Sequence, residues 1–307
     1  MIRYVESGDI NREKWDDCIR LSASPAIFVY SWFLDTVSVN WAALVLNDYE
    51  AVFPFAYNKK YGISYIYQPF FTRYFGVYSK NGMPSANLLM QFLNKIPSSF
   101  SYINLCLNSS QIVGFKHYFI KQRRYQVMDL IGSYEELKKR YSDNTRRNIK
   151  KAVKADLKIV KEISPLQIVT IFRKTKGDEL NAFGEADYNR LSSLMHNCLK
   201  NNCGETIAVY DRDELCAAAF FMHSDNRFVF LKSGVTEQGR MNGAMHFLVD
   251  NFINQYSNSN KTLDFGGSSV ESVARFYKSF GAQDYVYLQL ENKRISKLIR
   301  WIKSFKF

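Results

Sequence analysis

Thr206-Ile207-Ala208-Val209-Tyr210, Asp211-Arg212-Asp213, Leu215 to Met222, Ser224-Asp225-Asn226 and Arg227 to Lys232 read, in that order, as strand, turn, strand, turn and strand. The apolar runs are too short for helices, and each is bounded by turn-forming residues. Asn242 to Tyr256 then reads as a helix. Its Met245, Leu248, Val249, Phe252 and Ile253 recur at three-four spacing, which gives one apolar face. Thr262-Leu263-Asp264-Phe265 is the strand after it. The unit is a three-strand meander, a helix and a further strand.

The same order stands upstream. Ala43-Leu44-Val45-Leu46, Val52 to Tyr57 and Ile63 to Tyr67 form a meander, with turns at Asn47-Asp48 and Asn58-Lys59-Lys60. Pro54 cannot donate to a ladder and marks a bulge or an edge. Ala86 to Ile96 reads as the helix, and Tyr102 to Leu107 as the strand after it. Helices precede both sets: Asn11 to Leu21 and Tyr30 to Val37 before the first, and Tyr134 to Lys154, Leu166 to Thr175 and Asp187 to Lys200 before the second. The expected fold is a duplicated α+β or α/β unit, each copy a mixed, mostly antiparallel sheet flanked by helices. A boundary near Gly132 gives expected domains 1–132 and 133–307.

At 307 residues the chain has room for two domains, and 47% apolar with 23% charged residues excludes a disordered class. Its net charge of +12 is uneven. Ten basic and two acidic side chains lie between Lys138 and Lys161, which suits a polyanionic partner such as nucleotide phosphate, nucleic acid or an anionic membrane. The five cysteines include no Cys-x-x-Cys pair. Cys198 and Cys203 near His196 lack a fourth ligand at suitable spacing, so no metal is expected and free thiols in a reducing compartment are. No apolar run reaches the ~20 residues that span a bilayer. The charged N-terminal stretch has no apolar segment behind it, so a cytoplasmic protein is expected.

Three stretches carry a family resemblance. Asn144-Thr145-Arg146-Arg147-Asn148-Ile149-Lys150-Lys151-Ala152 is similar to the basic helix that opens the second unit of the FemAB-like transferases. Leu263-Asp264-Phe265-Gly266-Gly267-Ser268 is similar to their strand-then-glycine signature, and Ala274-Arg275-Phe276-Tyr277-Lys278-Ser279-Phe280-Gly281-Ala282 to the helix after it. With the element order, the chain resembles the FemAB-like branch of the GNAT acyltransferase superfamily, whose fold is two GNAT units in tandem. The resemblance implies transfer of an acyl or aminoacyl group from acyl-CoA or aminoacyl-tRNA to an amine, with a peptidoglycan or other glycan precursor of the cell envelope as one acceptor class. Two positions depart from the pattern. Tyr277 follows Phe276 where cell-wall members carry lysine, and Met245 ends the run Arg240-x-x-Gly243 where the acetyl-CoA loop carries glycine or alanine.

Candidate site residues follow. Arg240, Asn242, Gly243 and Ala244 lie between strand and helix, where free N–H groups and the positive dipole end would meet a donor's phosphate, or where an ordinary turn starts a helix. Asp264 at a strand end, with Tyr277 and Lys278 on the following helix, could take the amine proton, stabilise the oxyanion or protonate the leaving group. Lys278 on a solvated face is the alternative, and Ser268 with Glu271 reads as a capping box. His223 and His246 could be bases, but both lie in apolar patterns where packing is the commoner explanation. Arg146, Arg147, Lys150, Lys151 and Lys154 form a basic stripe for phosphate or tRNA, with Lys158 on the same expected face. Residues 293–307 read as a basic amphipathic helix, either packed on the second unit or lying on the inner membrane face. A non-catalytic protein that keeps the fold and binds an anionic ligand or tRNA is the alternative function.

Overall fold

The computed structural model describes residues 1–108, 118–177, 183–224, 226–267 and 271–293. In chain order the elements are β1 (Ile2–Glu6), α1 (Arg12–Arg20), α2 (Ser31–Val37), β2 (Asn40–Leu46), β3 (Ala51–Lys60), β4 (Ile63–Tyr67), β5 (Tyr78–Ser79), α3 (Ala86–Asn94), β6 (Phe100–Leu107) and β7 (Phe119–Asp129). Next come α4 (Tyr134–Lys139), α5 (Asp143–Lys154), β8 (Lys158–Lys161), α6 (Pro165–Phe172), α7 (Glu185–Lys200), β9 (Gly204–Asp211), β10 (Glu214–Ser224) and β11 (Arg227–Val235). The last are α8 (Glu237–Asn242), α9 (Ala244–Tyr256), β12 (Thr262–Gly266), α10 (Glu271–Lys278) and β13 (Gln283–Lys293). No described helix is long and apolar enough to cross a membrane.

The chain forms two compact units, one of Met1–Arg123 with the chain from Val286, the other Arg124–Tyr285. The first unit's sheet runs β1-β2-β3-β4-β6-β13, antiparallel except for the parallel β4–β6 pair. Trp15 of α1 packs on Trp41 of β2 at 5.3 Å on one face, and Phe92 of α3 meets Phe53 of β3 at 6.3 Å on the other. Pro54 sits between the residues of β3 that pair with β5 and those that pair with β4, where that edge has no ladder to donate to.

The second unit repeats the topology as β8-β9-β10-β11-β12-β7, antiparallel except for the parallel β11–β12 pair. The meander, helix and strand read from the sequence are β9 to β12 with α9 between. The sixth strand differs from the sequence expectation in both units. Leu288 to Lys293 pairs with β6, and Gln126 to Asp129 of β7 pairs with β12, so the first unit takes its sixth strand from late in the sequence and the second takes it from its own start.

The basic helix expected over 134–154 is two helices. Ser133 caps α4 with Glu136 in a capping box, and Ser142 starts α5 anew by accepting the Thr145 N–H at 3.2 Å. Lys158, expected on the same helical face, lies on β8 and pairs with Asp156 at 2.8 Å. The basic tail beyond Lys293, and Ser268 of the expected capping box, lie outside the described residues.

Residues of α9 cover one face of the second sheet. Phe252 stacks on Phe221 at 3.7 Å. His246 of α9 packs on Phe276 and Phe280 at 4.9 and 5.9 Å, and burial depresses its pKa to about 4. The folded chain therefore holds a neutral ring while an unfolded histidine, near 6.5, takes a proton. That stability is present above pH 6.5 and is lost as pH falls towards 4. With allowance for the ring's partial exposure the loss is about 2 kcal/mol. Urea unfolding at pH 7 and pH 4.5 should show that extra loss in the native chain and not in His246→Leu.

Candidate active site

The parallel pair β11–β12 is short. Arg227, Phe228 and Val229 pair with Thr262, Leu263 and Asp264. Beyond them β11 continues to Val235 with its described ladder on the β10 side alone, while β12 follows β7. The two strands part beyond these three pairs. Each lip carries an irregularity. Leu231 is the extra residue between the Phe221–Phe230 and Phe220–Lys232 pairs, and Phe265 falls between the Asp264–Val127 and Gly266–Gln126 pairs. Such bulges re-aim side chains and end pairing.

On the α9 face of the opening, Phe230 and Phe265 are buried, and the Tyr277 ring lies 6.0 and 5.0 Å from them. On the opposite face stand Lys232 and Asp264. The Lys232 Nζ lies 4.4 Å from the Phe172 ring centroid and 4.9 Å from that of Phe183. Burial lowers this amine to a pKa of about 8, and the ring faces only partly replace lost water. Asp264 is fully buried. It accepts the Gly266 N–H at 2.9 Å and lies 3.6 Å from the Arg227 guanidinium. The chain leaving α6 passes through a π-helical turn, Arg173–Gly177, beside this face. Such turns recur at functional sites.

Sequence-predicted residues fall into three groups. Tyr277 lies over the opening, but Asp264 lies on the other side of the sheet, because its regular neighbour Leu263 packs among the α9 residues and strand residues alternate faces. Lys278 is held by Asp284 at 2.6 Å, and the Gln126 amide together with that ammonium keeps the Asp284 carboxyl below the usual range. The expected turn is instead the short helix α8, capped by Thr236, and Arg240 is exposed on it. The Asn242 amide donates to Asp211 at 3.3 Å while its oxygen accepts the Ala244 N–H at 3.3 Å. Gly243 has φ +79, and a β-carbon there would stand 2.3 Å from the Asn148 carbonyl oxygen of α5. At Gly239 it would stand 2.2 Å from the Cys216 carbonyl oxygen of β10. Both glycines thus have a packing reason: backbone of α5 or β10 stands where a β-carbon would project.

On the basic stripe, Arg146 pairs with Asp143 and donates to the Lys139 carbonyl. Arg147, Lys150, Lys151 and Lys154 are exposed, with no acidic partner among the described residues. His223 packs on Phe228 at 6.0 Å, so both histidines take the packing reading. The residue that the sequence did not single out is Lys232. Its signal was a cation closing the apolar run Phe228-Val229-Phe230-Leu231.

No family model matches the chain, and no curated protein matches it. Solved structures do. FemX superposes with a TM-score of 0.66 at 11% identity, over 96% of this chain and 99% of that one. A tandem GNAT protein from the clavulanic acid biosynthesis pathway gives 0.56 at 9% identity, over 97% and 100%. L-PGS from Bacillus licheniformis gives 0.55 at 10% identity, over 94% of each. At such identities the likeness is one of fold, and it agrees with the strand order found in both units. The chain has the tandem GNAT-type fold of the FemAB-like proteins.

Proposed function

We propose that the second unit moves an acyl or aminoacyl group from an anionic carrier, acyl-CoA or aminoacyl-tRNA, to an amine acceptor. The observation that carries this reading is the parted β11–β12 pair with a low-pKa lysine at its bulge. N–H groups on the parted strand edges stabilise the oxyanion when the amine attacks the carbonyl carbon. Lys232, neutral in a useful fraction near pH 8, takes the amine proton. Asp264 with Arg227 gives the same face a fixed dipole. Tyr277 closes the other face. Lys278 orients or protonates the leaving group once a substrate competes with Asp284. A groove of about 510 Å³ between α6 and Thr236, walled by Leu166, Ile171 and Leu215 with Lys174 at its rim, has room for the extended arm of a carrier.

Arg240, Asn242, Gly243 and Ala244 hold the donor phosphate in this reading, with Arg240 the one exposed charge. The unpaired cations of α5 favour the larger polyanion, aminoacyl-tRNA, over acyl-CoA. The FemX and L-PGS likenesses support an amine on a cell-envelope precursor, with the protein working on the cytoplasmic side. Incubation with acetyl-CoA or a mixed aminoacyl-tRNA pool, a cell-envelope extract and mass spectrometry should reveal a tRNA-dependent product. Arg147→Gln with Lys150→Gln, Lys151→Gln and Lys154→Gln should weaken tRNA binding and flatten its log–log salt slope by about 3. Product from neither donor removes the reading. Donor-dependent thermal stabilisation without any product would favour a binding protein instead.

A further inference from the structure

We propose that Cys198 and Cys203 form a reversible disulfide that closes the end of α7. The thiols are brought together by a helix stop rather than by chance. The Cys203 N–H donates to the Cys198 carbonyl at 2.9 Å, and the Asn202 N–H to the Leu199 carbonyl at 3.0 Å. Asn202 takes the left-handed conformation, φ +52. These are the two bonds and the positive φ of a Schellman closure, in which side chains five positions apart come into contact. That contact is usually apolar. Here both of its members are cysteines.

The Cys203 thiol donates to the Cys198 carbonyl oxygen at 3.4 Å, which folds its sulfur back over the last turn of α7. Cys198 is fully buried and Cys203 half-exposed. The neighbouring Cys203 sulfur, with burial, pushes the Cys198 thiol up, and Cys198 in turn holds Cys203 below the usual thiol range. One sulfur is thus the reachable nucleophile and the other a resolving thiol behind it. Gly204 follows directly. A β-carbon there would lie 2.9 Å from the Cys198 Cβ and 2.6 Å from the Phe220 ring, so the chain entering β9 packs closely on the end of α7.

The oxidant is a low-molecular-weight disulfide. The Cys203 thiolate attacks one of its sulfurs, forms a mixed disulfide and expels one thiolate, which takes a proton. The Cys198 sulfur then attacks the Cys203 sulfur, loses its proton and releases the second thiol. The protein loses two hydrogens, and the small disulfide becomes two thiols. A loop this short constrains the unfolded chain little, which suits a bond that opens again in a reducing environment.

The full chain should be equilibrated in graded mixtures of reduced and oxidised glutathione, quenched with an alkylating agent and mapped by mass spectrometry. The expected result is a mass lower by two hydrogens, a Cys198–Cys203 peptide, and reversal by excess reduced glutathione. Cys203→Ser should lose the bond. Cys198→Ala should instead trap glutathione on Cys203. Cys18 and Cys106, both buried and pushed up to about 11, serve as unreactive references in the same digest. Cys203 alkylated no faster than those references, or a native chain that stays fully reduced at the oxidising limit, overturns the proposal whatever either variant does.

Discussion

Lys232→Met should lower kcat by roughly 10²–10⁴-fold, the usual contribution of a positioned acid or base. Methionine keeps an unbranched stem between Phe172 and Phe183 and removes only the amine. Lys232→Arg separates the possible roles. It keeps a cation on the two rings, but a guanidinium cannot accept a proton near neutral pH. A merely structural cation would be rescued by arginine; a base would not. The native kcat/KM should rise with pH through about 8 and then level, because the neutral amine is the active form. Both variants should lack that limb.

Stability should move the opposite way. An unfolded lysine holds its proton to about 10.4, whereas this one loses it near 8. A depressed folded value means that stability is greatest above the unfolded value and falls as pH drops towards the folded one. At pH 7 the buried ammonium therefore costs the fold about 3 kcal/mol, and the methionine variant should unfold at higher urea. Gained stability with lost turnover is the signature of a residue kept for chemistry. A methionine variant with native kcat would remove Lys232 from the reaction.

The repeat was legible because it rests on period and length. Alternation in Ile63 to Tyr67 and three-four spacing from Met245 to Ile253 are local signals, and local signals survive in one sequence. The source of the first unit's sixth strand was not legible. Nothing in Gln283 to Lys293 says whether it pairs with β12 nearby or with β6 far upstream, because ladders use backbone groups that every residue carries. The break before α5 was visible in Ser142-Asp143, a start signal masked by the charge stripe on either side. Asp264 and Tyr277 are the instructive pair. With Leu263 packed among the α9 residues, strand alternation already required Asp264 to face away. Lys232 is the converse case. Its charge was in plain view, but the bulge at Leu231 and the ring of Phe183 that define its surroundings are tertiary.

Gly243→Ala should destabilise the second unit by about 3 kcal/mol, and the reason bears on how donor binding is understood. Two costs add. Alanine at φ +79 costs about 1 kcal/mol or more in backbone strain. Its methyl would also stand 2.3 Å from the Asn148 oxygen, a backbone atom that cannot rotate aside, so α5 must shift against α9. Overpacking of that kind costs about 1–3 kcal/mol. If Gly243 serves this packing alone, the surviving folded fraction of the variant should bind donor normally, and urea unfolding should carry the whole effect. If the glycine also admits a donor phosphate, the donor KM should rise well beyond what the folded fraction explains, and Arg240→Glu should raise it too. A glycine at a helix start is commonly read as a phosphate contact. Here the neighbouring carbonyl already occupies the side where a β-carbon would project, so any phosphate has to approach the turn from the side of Arg240.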